Sequence, residues 1–371
     1  MSSEKRKARV IAMYLPQFHP FKENDEWWGK GFTEWTNVGK AKPLFRGHYQ
    51  PRVPADLGYY DLRLPIVREE QALMAREAGI EGFMYWHYWF GHGKTLLADI
   101  FDEVLKSGKP DFPFCLGWGN HDWSRRTWNS SAQTHKDMML MKQEYPGDED
   151  IEAHFYNVLP AFKDHRYITV DGKPLFVIYD PFHMKDATHY MDMWRKLAVE
   201  NGLKGVHFAA LVGGWEENCQ KALKLGFDAV LPQNRWYAEY KIQGYFWRML
   251  TIKWNQHFPR LAPLNKFKYK HIIKYLFNEN DRLENAYPIL LPNFDRTSRG
   301  GRRAEIFYGS TPELFKKHIL QGLEYIKDKQ PEHQIMFLQS WNEWAEGNYV
   351  EPDLKFGHGY LDALHDCIVE K

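Results

Sequence analysis

Eight short apolar segments recur along the chain, and most of them are followed by a segment with helical periodicity. They are RVIAMYL (9–15), IEGFMYWHYWF (80–90), FPFCLGWGN (112–120), KPLFVIYD (173–180), GVHFAALV (205–212), FDAVLPQN (227–234), YPILLPNF (287–294) and HQIMFLQSW (333–341). Several are apolar on both faces, which is typical of strands in a parallel sheet that is covered by helices. Eight such units predict an α/β fold in which residues 1–371 form a single (β/α)8 TIM barrel, the catalytic domain.

The segments between the strands support this fold. Helical patterns are predicted at 64–79, 94–108, 148–164, 188–202, 216–226, 311–329 and 359–370. A doubly wound sheet is the weaker alternative, because no Gly-rich GxGxxG turn follows the first strand. Two connections are unusually long, namely 16–64 after strand one and 235–286 after strand six. We therefore expect a barrel with long loops at these two places.

The aromatic content suggests what the barrel binds. Aromatic residues make up 16% of the 371 residues and include 15 tryptophans. Pyranose rings stack on flat aromatic faces, so a sugar-binding cleft is one interpretation, and an aromatic-rich core is the other. The net charge of +1 gives no overall field that would attract nucleic acid.

The sequence predicts a cytoplasmic location without metal or cofactor. Cys115, Cys219 and Cys367 are far apart and show no CxxC spacing, which favours a reducing compartment. The first apolar run is too short for a signal peptide, and no stretch resembles a membrane span. The histidines lack the spacing of metal ligands.

The second long connection carries an unusual charge pattern. Residues 241–274 contain eight Lys or Arg and no Asp or Glu, interleaved with aromatic residues. This basic, aromatic insertion at about 235–286 is either a subdomain packed on the barrel or a surface for an anionic polymer or a membrane. No nucleic-acid-binding motif is present.

Polar and aromatic residues stand where the predicted strands end, which is where a barrel of this kind places its active site. Those predicted to bind substrate are Tyr14, Gln17, His19, Trp86, His87, Tyr88, Trp118, Asn120, Asp122, Asp180, Trp236, Asp295, Trp341, Asn342, Trp344 and Glu351. Such a lining is expected of a carbohydrate cleft, where hydroxyl groups need fixed polar partners.

Glu343 and Glu346 are the predicted catalytic residues. They follow the last apolar segment, three residues apart, in WNEWAEG. Glycoside cleavage needs one protonated and one ionised carboxyl group. Neighbouring indoles would raise the pKa of one carboxyl by removing water, while the other stays in a polar setting. A charged surface turn is the alternative interpretation.

Several long segments resemble one known family. YLPQFHPFKENDEWWGKGFTEWTNVGKAKPLFRGHYQPRVPADLGYYD (14–61) is similar to the N-terminal signature of WbsX-type proteins. GFMYWHYWFGHGKTLL (82–97), FPFCLGWGNHDWSRR (112–126) and FLQSWNEWAEGNYVEPD (337–353) fit the same family. These proteins are considered polysaccharide-biosynthesis glycosyltransferases and resemble the family 99 glycoside hydrolases, so the resemblance implies a (β/α)8 barrel.

The resemblance also implies roles for the two glutamates. In the endo-α-mannosidases of family 99, the first glutamate assists attack by the sugar's own 2-hydroxyl, which gives an anhydro-sugar and net retention. The second glutamate is the general acid/base. By resemblance, Glu343 takes the first role, Glu346 the second, and Glu351 matches a further acidic position.

One departure from the family pattern affects specificity. Family members read Trp-Ala-Asn-Glu-Asn-Trp-Thr after the third strand, whereas this chain has His121 and Asp122 in place of Glu-Asn.

The expected activity is retaining cleavage of a cell-surface, capsular or O-antigen polysaccharide. A glycosyltransferase or transglycosylase of lipopolysaccharide biosynthesis and a non-catalytic glycan-binding protein are the alternatives. The expected partner is an oligosaccharide or polysaccharide, including a lipid-linked one, with peripheral membrane contact through 241–274.

Overall fold

The computed structural model describes residues 5–124, 138–258 and 261–370. Arg125 and Arg126 of the third family segment, and Arg260 of the basic tract, lie outside the described residues. The barrel strands are β1 Arg9–Tyr14, β2 Gly82–Trp89, β3 Phe114–Trp118, β4 Lys173–Ile178, β5 His207–Gly213, β6 Ala229–Gln233, β7 Ile289–Leu290 and β8 Ile335–Leu338. Seven lie inside the predicted segments and β5 extends one residue beyond its segment, to Gly213, so the strand prediction is confirmed.

The eight strands form a parallel sheet in the order β6-β5-β4-β3-β2-β1-β8-β7. The register pairs Ile11 with Gly82 on one side of β1 and with Phe337 on the other. In the described part of the chain, a single parallel bridge, Val230 to Ala286, closes the barrel between β6 and β7. The fold is therefore a nearly closed (β/α)8 barrel with long connections after β1 and β6, as predicted.

Helices cover the sheet and its C-terminal end. They are α1 Lys22–Trp28, α2 Glu34–Lys40, α3 Pro65–Glu77, α4 Ala98–Ser107, α5 Asp148–Phe162, α6 Ala187–Glu200, α7 Glu216–Lys224, α8 Arg235–Gln243, α9 Tyr245–His257, α10 Tyr269–Ile272, α11 Thr297–Gly300, α12 Pro312–Ile326 and α13 Gly359–Ile368. Helix α3 begins with a proline. Proline lacks a backbone N–H, which is no loss in the first helical turn because an N–H there has no acceptor within the helix. Among the described residues, no helix is both long and apolar enough to cross a membrane.

Shorter strands and 3₁₀ turns lie between these elements. Short strands pair Asn265–Lys268 with Glu305–Tyr308, Trp123–Ser124 with Met139–Met141, and Asn342–Glu343 with Asn348–Tyr349; Thr95–Leu96 pairs with β2 and Thr169–Val170 with β4. The 3₁₀ turns are Glu279–Arg282, Gly301–Arg303, Pro331–His333 and Trp344–Glu346. A separate apolar cluster that includes Phe267, Tyr269 and Phe294 holds the insertion after β6 against the barrel.

Candidate active site

A cleft of about 600 Å³ opens at the C-terminal ends of the strands. Its lining comes from many elements and consists of Met13, Leu15, Trp86, Tyr88, Gly119, His121, Trp123, Tyr179, Leu211, Gln233, Arg235, Trp236, Phe294, Arg296, Arg299, Gln339, Ser340, Glu343 and Glu346. Its size matches that of pockets for small ligands, and its mixture of aromatic and charged groups suits a polar ligand with flat faces. Both predicted catalytic glutamates lie in this lining.

The hairpin after β8 fixes the two glutamates. Glu343 pairs with Asn348 across the short antiparallel ladder, and the 3₁₀ turn between them brings Glu346 to the same side. Gly347 closes the turn with a φ of 66°. A Cβ atom at Gly347 would lie 3.0 Å from the Cβ of Asp295. Glycine is needed here both for the left-handed backbone and for the close approach.

Arg299, on α11, joins the two glutamates. Its Nη2 lies 2.6 Å from Glu343 Oε1, and its Nη1 lies 2.9 Å from Glu346 Oε1. The same Nη2 lies 2.9 Å from Glu34 Oε2, at the start of α2. All four side chains are largely buried, so these charge-assisted contacts are poorly screened by water. One guanidinium therefore holds carboxylates from three separate elements together.

The surroundings separate the pKa values of the two glutamates. Burial raises the pKa of Glu343 to about 8, although Arg299 opposes this shift. Burial also acts on Glu346, but Arg296, Arg299 and Arg235 outweigh it and hold the pKa of this carboxyl below its usual value. Near neutral pH the pair consequently holds one proton, which is the state that paired acid and base chemistry requires.

A second layer of contacts holds the loop that carries Arg299. Asp295 is buried and accepts hydrogen bonds from Gln50 Nε2 at 2.9 Å and from Thr297 Oγ1 at 2.7 Å. Its carboxylate also lies 2.9 Å from His48 Nε2, and its backbone N–H donates to Glu346 O at 2.6 Å. Asp295 thus connects the first long loop, α11 and the turn after β8.

Aromatic side chains form much of the cleft wall. Trp86 and Tyr179 pack edge to face at 5.7 Å, and Trp236, at the start of α8, is 46% exposed. Tyr88 lines the cleft from the end of β2. The ring of His121 packs on Tyr179 at 4.8 Å, and burial lowers the pKa of His121. Flat faces and a neutral imidazole therefore surround the glutamate pair.

Another group of residues that the sequence predicted to bind substrate lies beneath the cleft. Tyr14 donates to Gln71 at 2.7 Å, and Trp344 stacks on Tyr349 at 3.7 Å and donates to Glu351 at 2.6 Å. Packing and hydrogen bonds inside the core occupy these side chains and those of two neighbours, Trp118 and Trp341. They support the hairpin and the barrel rather than line the described cleft.

Asn342 has a specific structural role in this layer. Its Oδ1 accepts from Leu15 N at 2.8 Å, and its Nδ2 donates to Leu15 O at 3.0 Å. The amide thereby imitates a strand partner and fixes the end of β8 to the end of β1. Glu343 follows directly in the chain, so this contact sets its position.

The remaining predicted residues lie outside the lining of the described cleft. Asn120 is buried and exchanges hydrogen bonds with the backbone of Asp180, at 2.8 and 2.7 Å. Asp122 accepts from Gln143 N at 2.7 Å, and His87 Nε2 lies 2.8 Å from His154 Nε2. Gln17 and His19 are buried in the first long loop. None of these side chains lines the described cleft.

Sequence reasoning missed the cationic part of the site. Arg235, Arg296 and Arg299 all line the cleft, and Glu34 supports it from α2. Arg296 Nε lies 3.0 Å from Glu346 Oε1, and Arg235 lies over the ring of Phe294 at 3.8 Å. The available signal was the position of RTSRGGRR (296–303) directly after the seventh predicted strand.

Comparison with known proteins places the whole chain in one group. The family model described as "Glycosyltransferase WbsX" matches residues 10–364. The WxcX protein of Xanthomonas campestris pv. campestris strain B100 is 33% identical over 364 residues, which cover 97% of this chain and 50% of that protein. A WxcX protein of strain ATCC 33913 is also 33% identical over the same length. The chain spans about half the length of these curated relatives.

Solved structures show a similar fold. The GH99 endo-α-mannosidase from Bacteroides thetaiotaomicron, in complex with Bis-Tris propane, has a TM-score of 0.57 at 14% identity, covering 96% of this chain and 95% of that chain. A glycoside hydrolase-like protein has a TM-score of 0.58 at 15% identity, covering 100% and 96%. At such low identity the likeness supports a common barrel fold alone.

Proposed function

Because the chain belongs to the WbsX glycosyltransferase family, we propose that it is a carbohydrate-active enzyme that acts on the glycosidic bonds of a cell-surface, capsular or O-antigen polysaccharide. The observation that carries this proposal is the contact of Glu343 and Glu346 with one guanidinium, that of Arg299, inside the cleft. A surface turn would leave both carboxylates in water. Here they are largely buried, close together and different in pKa, which suits the cleavage of a glycosidic bond.

We propose the retaining course that family 99 resemblance implies. Glu343 accepts the proton of the sugar's 2-hydroxyl while O2 attacks C1, and Glu346 donates a proton to the departing oxygen. A 1,2-anhydro-sugar results. Water then adds to C1 and gives its proton to Glu346, while O2 regains its proton from Glu343. For these roles the proton that the pair shares must move from Glu343, which burial keeps protonated in the free protein, to Glu346, so a bound sugar must weaken the contacts of Glu346 with Arg296 and Arg299.

The cleft wall favours a sugar whose ring stacks on indoles, with Trp86 and Trp236 as the platforms. One structural relative is named an endo-α-mannosidase. His121 lines the cleft, and its Nδ1 atom is buried without a hydrogen-bond partner among the described residues. A neutral ring cannot replace the negative charge that the family's glutamate supplies there. We therefore propose a glycan that differs from the mannoside at the subsite beside His121.

A panel of defined oligosaccharides tests the proposal. We expect cleavage or transfer of at least one member, and a loss of about 1,000-fold or more in kcat for Glu343→Gln and for Glu346→Gln. Glu149→Gln, which changes an exposed glutamate of α5, is the matched control and should keep full activity. Variants that process glycan as the parent does would contradict a catalytic role for these glutamates, and a parent that binds glycans without processing any of them would favour a glycan-binding protein.

An aryl glycoside with a good leaving group separates the two roles. If Glu346 is the acid, Glu346→Gln should regain much of its activity on this substrate, since the leaving oxygen no longer needs a proton. Glu343→Gln should stay inactive on both substrates. The opposite pattern would assign the acid role to Glu343, as the charges in the free protein favour.

Transfer to an acceptor sugar is the second candidate function, and the family description favours it. A retaining site also forms a new glycosidic bond when a sugar hydroxyl replaces water. Product analysis with and without a lipid-linked acceptor distinguishes the two reactions. Calorimetric titration with nucleotide sugars would support a nucleotide donor if tight binding appeared.

We place this reaction in the cytoplasm. Cys115, Cys219 and Cys367 are all free and buried, which suits a reducing compartment. Fractionation of cells that produce the protein tests this location, and recovery with periplasmic or secreted proteins would contradict it.

A further inference from the structure

Helix α9 presents an apolar stripe to solvent. Trp247, Leu250 and Trp254 lie at helical spacing on α9, and Phe258 and Leu261 lie in the chain beyond its end. These side chains are between 41% and 78% exposed. A contiguous patch of this kind on a folded protein marks an interaction surface.

The inner face of α9 is held against the protein by polar side chains. Arg248 is buried, forms an ion pair with Glu239 of α8 and donates to Asn265 at 2.6 Å. Gln243 donates to Thr251 at 2.7 Å. If α9 packed its apolar side against the protein, the helix would be rotated about its axis so that the indole rings faced inward. The buried ion pair and the hydrogen bonds fix α9 with its indoles outward.

The segment that contains the stripe carries only basic charges. Residues 241–274 contain eight Lys or Arg and no acidic residue. Lys253, Lys268, Lys270 and Lys274 are exposed, and none forms an ion pair with a carboxylate in the part of the chain that the structure describes. A partner that fits this surface is apolar at its centre and anionic at its edge.

We propose that the outward face of α9 docks the protein on an anionic lipid surface. Indole rings prefer the headgroup level of a bilayer, and an amphipathic helix that combines an apolar face with nearby basic residues lies in that plane. The helix of 13 residues is about 20 Å long, which suits the surface rather than the span of a bilayer. Anionic headgroups attract each nearby lysine.

The position of α9 connects docking to the cleft. Gly244 alone separates α9 from α8, and α8 begins with Arg235 and Trp236, both of which line the cleft. A protein docked through α9 therefore holds its cleft beside the headgroups, where the sugar of a lipid-linked glycan lies. This consequence rests on the proposed function, whereas docking itself does not.

Co-sedimentation of the full chain with vesicles tests docking without any substrate, so its result is independent of the result for catalysis. The vesicles contain phosphatidylcholine with about one third phosphatidylglycerol. We expect the protein to bind them, and expect Trp247→Ser with Trp254→Ser to weaken binding by about tenfold or more. Val199→Ser with Leu320→Ser removes two equally exposed apolar side chains from α6 and α12 and should leave binding unchanged.

Charge reversal gives a second, independent measurement. Lys253→Glu with Lys268→Glu should lower binding by about tenfold at low salt, and added salt should lower the binding of the parent protein. Lys106→Glu with Lys317→Glu changes the net charge equally from exposed positions elsewhere and should have little effect. Circular dichroism and thermal unfolding establish that each variant is folded.

Three results would overturn the proposal. In the first, the parent protein stays in solution when anionic vesicles sediment. In the second, the control variants lose as much binding as the α9 variants. In the third, the protein self-associates through Trp247 and Trp254, and this excludes vesicle binding. Sedimentation velocity without lipid detects the last of these, which would make the face an interface between two copies of the chain.

Discussion

At the scale of single residues, Arg299 determines the charge state of the site. It contacts Glu34, Glu343 and Glu346, and although burial alone would lower its pKa, these carboxylates raise that pKa above its usual value. Removing a buried partner leaves charges that nothing compensates. Arg299→Met should therefore lower the free energy of unfolding by about 3–5 kcal/mol and reduce kcat about 100-fold or more.

Urea unfolding and steady-state kinetics measure these two losses. Arg303→Met, an exposed arginine four residues along the chain, is the control and should change neither quantity. If Arg299→Met unfolded like the parent, the guanidinium would add no net stability to the cluster.

Glu343 gives the site a pH dependence of known sign. Its pKa is raised from 4.5 to about 8, first by burial and then by its acidic neighbours. Between these values the folded protein keeps a proton that the unfolded chain has lost, so stability falls as pH rises through this window. Glu343→Gln stays neutral, and the parent should lose about 2–4 kcal/mol relative to it between about pH 5 and pH 8. Urea unfolding of both proteins at the two pH values measures this loss. The same difference in unfolding free energy between parent and variant at both pH values would contradict the raised pKa.

The sequence predicted part of this residue network for a clear reason. Glu343 and Glu346 are conspicuous because they follow the last apolar segment closely. Arg299 and Glu34 lie 44 and 265 residues from their partners in the chain, and only the closed barrel brings them together. Trp344 shows the converse, since an indole beside two glutamates suggests a cleft wall, yet its ring stacks on Tyr349 below the cleft.

At the scale of elements, the long segments were predictable and the short ones were not. Strand β3 and helix α5 carry their own apolar patterns, so period and turn residues are sufficient to find them. The pair of strands Asn265–Lys268 and Glu305–Tyr308 has no such pattern. It forms because the insertion folds back onto the loop after β7, which is a tertiary contact rather than a local preference.

The loop after β7 depends on Asp295 for its shape. This carboxylate binds Gln50 and Thr297 and lies beside His48, and burial would raise its pKa if His48 and Arg52 did not hold it low. Asp295→Ala should lower the free energy of unfolding by about 2–4 kcal/mol, because buried donors lose their acceptor. Since α11 then loses its anchor, kcat should fall more than KM rises.

Urea unfolding and Michaelis–Menten kinetics measure both effects of Asp295→Ala. Asp295→Asn keeps one acceptor oxygen and should recover part of each loss. Equal kinetics for Asp295→Ala and the parent would show that Arg299 keeps its position without this anchor.

At the scale of the whole molecule, the barrel has one weak line of closure. Strands β5 and β6 pair along five residues, whereas β6 and β7 meet at the single bridge of Val230. Its N–H donates to Asn285 O at 2.9 Å, and its carbonyl accepts from Tyr287 N at 2.8 Å. The chain leaves β6 to form the insertion that carries α9 and returns at this line, so any movement of the insertion acts here first.

Residue-resolved hydrogen exchange tests whether this line opens on its own. The amides of Val230 and Tyr287 should exchange at least about tenfold faster than that of Phe83, which donates to Pro113 O at 3.0 Å between β2 and β3. All three residues are buried, so the comparison reports opening rather than exposure in the native state. Equal protection at the three positions would mean that β6 and β7 separate only when the whole barrel unfolds. Faster exchange at Val230 and Tyr287 would make the insertion and its helix α9 a unit that can shift against a rigid sheet. The glutamates would stay in place, because their hairpin follows β8, which pairs with both β1 and β7.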